Sequence, residues 1–340
     1  MLFVYLIVGG IFIVALLALV YRILSLIDVA KNSESKRVGF SNTVNAFLFI
    51  VFFVVGFGGI AWYSGIASEN YLPVSASDHG LLTDRLFWIT TAIVFVAFFL
   101  THVLLFFAPF LFRFQEDRKA LWFPHSNKLE VAWTVVPAIV LTVLVLSGYK
   151  VWSDITSPAP KDRVEVEIMG KQFNWQVRYA GKDGVIGKYD FRKIDATNAM
   201  GMDFANDKAN FDDFTPNEIH IPKGKNVLLK IRARDVLHSV FMPHFRVKMD
   251  AVPGMPTSFW FVPNKTTAEM RTETGKPDFN YELACTEVCG SGHFAMKFKI
   301  IVDEPAEYEK WYASQEAWAV SNKDYIKTLN LKDVNLADLK

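Results

Sequence analysis

The run Cys285-Thr286-Glu287-Val288-Cys289-Gly290-Ser291-Gly292-His293-Phe294-Ala295-Met296 puts two thiols, an imidazole and a thioether within twelve residues, and the chain has no other cysteine. Thiolate, imidazole and thioether are soft or borderline donors that together favour copper over oxygen-seeking ions. A blue single-copper site takes one thiolate, so the second, four positions on, asks for another arrangement: two thiolates bridging two copper ions. Each ion would then hold both sulfurs, one terminal imidazole and one weak axial group, which requires a second histidine. His220, His238, His244 and, earlier in the chain, His79 are the candidates. His238 stands out by its setting, Asp235-Val236-Leu237-His238-Ser239 followed by Pro243, Lys248, Asp250, Pro253 and Gly254.

Other chemistries use the same residue types. A disulfide is the common fate of paired cysteines in an oxidising compartment, but it does not require His293 and Met296 at these intervals. A tetrahedral Cys2His2 zinc site leaves Met296 unexplained. A membrane-tethered copper-delivery or thiol-exchange protein would carry such residues on an α/β scaffold, and the second half of this chain reads as strands instead.

The elements that must position these residues differ between the two halves. Charge-free runs cover Met1–Tyr21, Val38–Ser68, Leu86–Phe112 and Val131–Tyr149, each near or above the roughly 18 residues that suggest a span. They predict four transmembrane helices. The first is longer than the apolar core of a signal peptide and has no basic residue before Arg22, so it is expected to stay as an anchor. Lys31, Lys36 and Arg37 lie between the first two runs, and Arg113, Arg118, Lys119 and Lys128 between the last two. By the positive-inside rule these connections are cytoplasmic and everything after Tyr149 is outside, in the periplasm of a bacterial inner membrane. Net charge is +1 from 36 basic and 35 acidic residues, which argues against nucleic-acid binding. Any steering of a charged partner must come from patches such as Asp203, Asp207, Asp212, Asp213 and Glu218.

After Ser157-Pro158-Ala159-Pro160 the pattern turns to short alternating segments. Phe173, Trp175, Val177 and Tyr179 alternate with polar residues, as on one face of a half-buried strand. Val164–Ile168, Asn226–Ala233, Thr257–Val262 and Phe298–Val302 are further strand candidates. Many short strands without intervening helices predict a β-sandwich or barrel. Residues 189–216 interrupt the rhythm as an insertion, and Glu304–Ser321 reads as a helix with Tyr308, Trp311 and Tyr312 on one face.

The stretches Asp235–Gly254 and Cys285–Met296 resemble the two ligand loops of cytochrome c oxidase subunit II with its binuclear CuA centre. Leu129-Glu130-Val131-Ala132-Trp133-Thr134 with Pro137, and Gly170-Lys171-Gln172, extend the resemblance over about 86–315. It implies a membrane-anchored all-β protein with a cupredoxin-like Greek-key sandwich over 161–303 and a transmembrane hairpin over 86–152; the helix pair over 1–66 is an addition to that pattern, and a helical tail is expected over 304–340. It implies His238, Cys285, Cys289, His293 and Met296 as side-chain ligands of two copper ions and the backbone carbonyl of Glu287 as the remaining one. The Glu287 carboxylate would hold a magnesium or manganese ion shared with subunit I. Electrons would come from a cytochrome c, free, tethered or within a respiratory supercomplex, and pass to haem in subunit I for reduction of oxygen to water coupled to proton translocation. The other oxidase subunits and the bilayer are the further partners, and Glu130 matches the proton-uptake position.

The sequence departs from the family in several ways. Members usually have two spans. Phe173 stands where the electron-receiving tryptophan is common, leaving Trp175, two residues on, as the substitute. His244 is unusual and reads as a surface residue. No Cys-x-x-Cys-His occurs, so no covalent haem c is fused here. A copper-containing nitric oxide reductase can share the centre, and Glu130 favours the oxygen reductase. Quinol oxidase subunits generally lack the copper ligands.

Overall fold

The computed structural model describes residues 2–31, 40–68, 71–122 and 124–331. Lys36, Arg37 and Val38 of the first connection, and the tail from 332 on, lie outside the described residues. The four apolar runs form helices α1 (Leu2–Lys31), α2 (Phe40–Ala67), α3 (Asp78–Leu111) and α4 (Asn127–Thr156). Each is 28 to 34 residues long, more than the roughly 20 that cross a bilayer. Their apolar windows are at most 6% buried within the chain. Side chains that apolar and that exposed suit lipid tails.

The chain divides into two compact units, Met1–Tyr71 with Ile89–Val140, and Leu72–Trp88 with Leu141–Lys340. In the first, α2 lies along α3 through phenylalanines. Phe53 sits within 6.1 Å of the Phe99, Phe106 and Phe107 rings, and Phe57 within 5.5 Å of Phe98 and Phe99. Lipid removes the hydrophobic drive between helices, so such van der Waals packing and hydrogen bonds must hold them. Tyr21 of α1 donates its hydroxyl to the Ser41 carbonyl at 3.1 Å and to Asn45 at 3.2 Å. After α3, Arg113 and Arg118 donate to the carbonyls of Phe110 and Leu111, satisfying acceptors a helix end leaves open.

The second unit is a β-sandwich. Its strands are β1 (Arg163–Lys171), β2 (Asn174–Tyr179), β3 (Ile219–Pro222), β4 (Asn226–Ala233), β5 (His238–Met242), β6 (Val247–Ala251), β7 (Thr257–Phe261), β8 (Tyr281–Cys285) and β9 (Lys297–Asp303). One sheet has the order β2-β1-β4-β7 and the other β3-β9-β8-β5-β6. Both are mixed, with β1/β4 and β3/β9 parallel. Ile168, Trp175, Val177, Leu229, Phe245, Phe261, Tyr281 and Leu283 fill the space between them. The stretch before α3 joins this unit. Ala76 N–H bonds the His244 carbonyl at 2.7 Å, and Arg246 grips Asp84 with two hydrogen bonds of 2.7 and 2.8 Å.

The 189–216 segment contains no strand and is clamped from below by two buried arginines. Arg178 bonds Glu167 at 2.6 Å, Asn210 at 2.7 Å and the Gly187 carbonyl at 2.8 Å. Arg232 bonds Glu167 at 2.8 Å and the Met200 carbonyl at 2.6 Å, and lies 4.0 Å above the Tyr189 ring. Buried charges persist only when paired and hydrogen-bonded in this way. A second small core of Met169, Met200, Met202, Phe204, Ala319 and Ile326 completes the attachment.

Two expectations change here. The acidic stretch is not a surface patch: Asp213 is fully buried, Asp203 nearly so, and Asp203 pairs with Lys193. Asp207 and Asp212 accept main-chain hydrogen bonds from Lys188 and Asp183. The tail is also not one helix, since α5 (Thr267–Thr274) precedes it and it splits into α6 (Pro305–Ala313), α7 (Trp318–Ser321) and α8 (Lys323–Thr328). Trp318 N–H bonds the Asp213 carbonyl at 2.8 Å, so this tertiary contact satisfies a donor that the start of α7 leaves open.

Candidate metal centre

Strand pairing assembles the cluster. β5 opens with His238 and pairs antiparallel with β8, which ends at Cys285, with Val240 opposite Cys285. Thr286 N–H bonds the Ser239 carbonyl at 3.2 Å, and Cys285 N–H bonds the Met296 carbonyl at 3.0 Å, closing the 286–296 loop on itself. Gly170 leaves room for the histidine ring, because a Cβ there would come within 2.9 Å of His238.

The side chains then meet pairwise. Cys285 Sγ is 3.8 Å from His238 Nδ1, and Cys289 Sγ is 3.7 Å from His293 Nδ1. Cys289 Sγ is also 3.9 Å from Met296 Sδ, while the Glu287 carbonyl faces Cys285 Sγ at 3.3 Å. The two sulfurs are 4.0 Å apart, about twice the length of a disulfide bond, and both cysteines are free. Two sulfurs sharing a metal at about 2.3 Å each lie at most about 4.6 Å apart, so both thiolates can reach the same ion. His238, Cys285, Cys289 and Met296 are buried; His293 is half-buried and the side chain of Glu287 is exposed.

Burial and the neighbouring Cys285 push the Cys289 thiol up to about 11, so a metal must displace its proton to bind the thiolate. Asp235 Oδ1 stands 2.8 Å from His238 Nε2, a contact on the ring nitrogen away from the sulfurs that fixes the tautomer of a metal-binding imidazole. Burial alone would raise the Asp235 pKa; hydrogen bonds from Gln172, His238 and Val236 outweigh it and hold the carboxyl low. The donor set, its spacing and its burial fit a copper pair.

The other candidate histidines, His220, His244 and His79, are engaged elsewhere. His220 sits between Asp303 at 2.6 Å and Glu218 at 3.0 Å and stacks on Trp311. His244 is not a free surface residue: it is half-buried and its Nδ1 bonds the Val74 carbonyl at 2.8 Å. His79 packs edge-on against Trp260. Glu130 is exposed in the first turn of α4, with its N–H on the Ser126 carbonyl.

Phe173 and Trp175 do not share a strand face. β2 starts at Asn174, Trp175 is 1% exposed with its ring edge-on to His238 at 6.0 Å, and Phe173 is 39% exposed. A Cβ on Gly290 or Gly292 would come within 2.8 Å of the Phe173 ring, so these glycines let the ring lie on the ligand loop. Alternation suggested one face for both rings because it assumed the strand began at Phe173. Gln172, which reaches the Cys289 carbonyl at 2.5 Å, and the two glycines were not read as site residues. The Gly-Ser-Gly spacing was the available signal.

Residues 164–304 match the family model of the cytochrome c oxidase subunit II periplasmic domain, and residues 67–151 match that of its transmembrane domain. An alternative cytochrome c oxidase subunit 2 of Bradyrhizobium diazoefficiens is 34% identical over 276 residues, 79% of this chain and 92% of the relative. The chain belongs to the cytochrome c oxidase subunit II family. A subunit 2 from Thermostichus vulcanus is 27% identical, across 74% of this chain and 81% of its own length. The solved periplasmic domain of subunit II from Bradyrhizobium japonicum is 24% identical and covers 46% of this chain and 96% of its own, at a TM-score of 0.32, too low to add to the sequence match. As a subunit II, the chain is part of a haem-copper oxidoreductase, a membrane protein with a C-terminal soluble domain, and its partner is subunit I. The family implies CuA copper, and the ligand atoms of His238, Cys285 and Cys289 lie within 4.8 Å of one another, where they could hold a metal ion.

Proposed function

We propose that this subunit II accepts electrons from a cytochrome c at the His238, Cys285, Cys289, His293, Met296 and Glu287 cluster and passes them to haem in subunit I. Reduction of oxygen to water there would be coupled to proton translocation. The observation that carries the reading is the 4.0 Å sulfur separation with one imidazole beside each sulfur. When bound, the copper pair supplies a one-electron acceptor. The chain's own residues hold it: two strands and a closed loop fix the ligands, Asp235 orients His238, and burial excludes water. Ligands held this firmly move little between redox states.

Of the two aromatic candidates, Phe173 offers the donor a surface and Trp175 does not, so electron acceptance is assigned to Phe173. Glu287, with its carbonyl turned to Cys285 and its carboxylate exposed, is the ligand proposed for a shared magnesium or manganese ion. Glu130, at the start of α4 beside the basic Lys128, is proposed to collect protons on the cytoplasmic side. The basic α3–α4 connection supports an orientation with the sandwich in the periplasm of a bacterial inner membrane. The test is copper loading of the full chain in detergent. Two coppers per chain with a purple mixed-valence spectrum support the reading, and saturation at one copper with a four-line spectrum rejects it.

A further inference from the structure

Three hydrogen bonds link Gln172 and Asp235 to the two ligand loops. Its main-chain N–H donates to Asp235 Oδ2 at 2.8 Å, and the other oxygen of Asp235 stands 2.8 Å from His238 Nε2. Its side-chain amide donates to the Cys289 carbonyl at 2.5 Å. One residue in the β1–β2 turn thus reaches a ligand on each of two loops, 235–238 and 286–296, which are otherwise joined near the site by the Thr286–Ser239 main-chain bond.

The Cys285–His238 pair depends on the first loop and the Cys289–His293 pair on the second. Any rotation of one loop against the other would change how the two sulfurs face each other. Strand pairing stops short of preventing it, since the β5/β8 register ends at Val240 and Cys285. Everything from Thr286 to Ala295 lies beyond the ladder.

We propose that Gln172 is a positioning residue that locks the two Cys–His pairs of the centre into one relative geometry. This rests on the metal-centre reading above. Gln172 touches no ligand donor atom; it acts through Asp235 on His238 and through the carbonyl of Cys289. The neighbouring Phe173 ring lies on the same loop at Gly290 and Gly292, so movement of Gln172 would also shift the surface proposed to meet the donor.

The test uses the full chain in detergent with Gln172→Met, which keeps the length and removes the donor, and Gln172→Asn, whose amide is one methylene short. In the copper-free protein, amides of Thr286–Gly292 should exchange about fivefold faster, the opening expected from loss of one hydrogen bond, while the β1 and β4 amides stay as in wild type. With copper bound, the near-infrared band should shift and reduction by hexaammineruthenium(II) should slow. Loss of copper from a variant that melts like wild type also supports the lock, because every ligand side chain is intact. Wild-type exchange together with a wild-type band in both variants overturns it. If wild type itself shows no two-copper band, the proposed function fails, and the exchange result still decides the role of Gln172.

Discussion

Phe173 occupies the space that a side chain at Gly292 would need, with its Cγ only 2.5 Å from where a Cβ would sit. The ring therefore reports on residue 292. Gly292→Ala should push Phe173 off the loop and slow reduction by a protein donor, and Phe173→Ala should do the same with two coppers still bound. Stopped-flow reduction with a cytochrome c checks this; unchanged rates in both variants would place electron acceptance elsewhere.

Trp175 is expected to behave differently. Burial at 1% exposure makes Trp175→Ala a cavity mutation, costing about 3–5 kcal/mol. Its signature is a lowered melting temperature, with the ring contact to His238 lost as well. A variant with wild-type stability and slowed reduction would return Trp175 to a donor-facing role.

Cys285→Ser and Cys289→Ser each remove one of the two sulfurs that stand 4.0 Å apart. Both variants should lose the purple mixed-valence spectrum, as read by electron paramagnetic resonance and metal analysis. A single cysteine that still gave the two-copper spectrum would exclude thiolate bridging.

Asp213 titrates at about 7 in the fold, raised by burial. Arg178, 3.3 Å away, offsets this incompletely because its shorter 2.6 Å contact is with Glu167. A carboxyl raised from 3.8 to about 7 binds its proton more tightly folded than unfolded, so stability falls as pH rises through that window. Asp213→Asn should stabilise the fold more at pH 8 than at pH 5, by a difference on the order of a few kcal/mol, because about two pH units of that window lie between them. Melting curves at both pH values measure it, and an equal effect at both would contradict the direction of the shift.

Glu130→Gln keeps size and hydrogen bonding and removes the titratable proton. In the assembled oxidase it should slow proton uptake linked to reduction of the oxygen site and leave the copper spectrum unchanged. Oxygen consumption and reduction kinetics equal to wild type would reduce Glu130 to a helix-start carboxylate favoured by the dipole.

What the sequence determined by itself was local or compositional. The apolar runs had to become long helices, because a backbone in lipid must satisfy its own hydrogen bonds. The four donors of Cys285–Met296 are close along the chain, so their chemistry could be read from spacing, and alternation marked β4, β7 and most of β9. Tertiary structure decided what depends on distant partners. Pairing of β5 with β8 brings His238 to Cys285 across 47 positions. Arg178 pairs with Asp213 and Lys193 with Asp203, so acids that composition suggested as a surface patch are turned inward. Periodicity would have continued one helix through the tail, but α6 stops at Ala313 and the Asp213 carbonyl takes the N–H of Trp318, the first residue of α7. Gln172 was legible only as part of the Gly170-Lys171-Gln172 resemblance and not in its role, since both groups it holds, Asp235 and the Cys289 carbonyl, reach it only once the sandwich has closed.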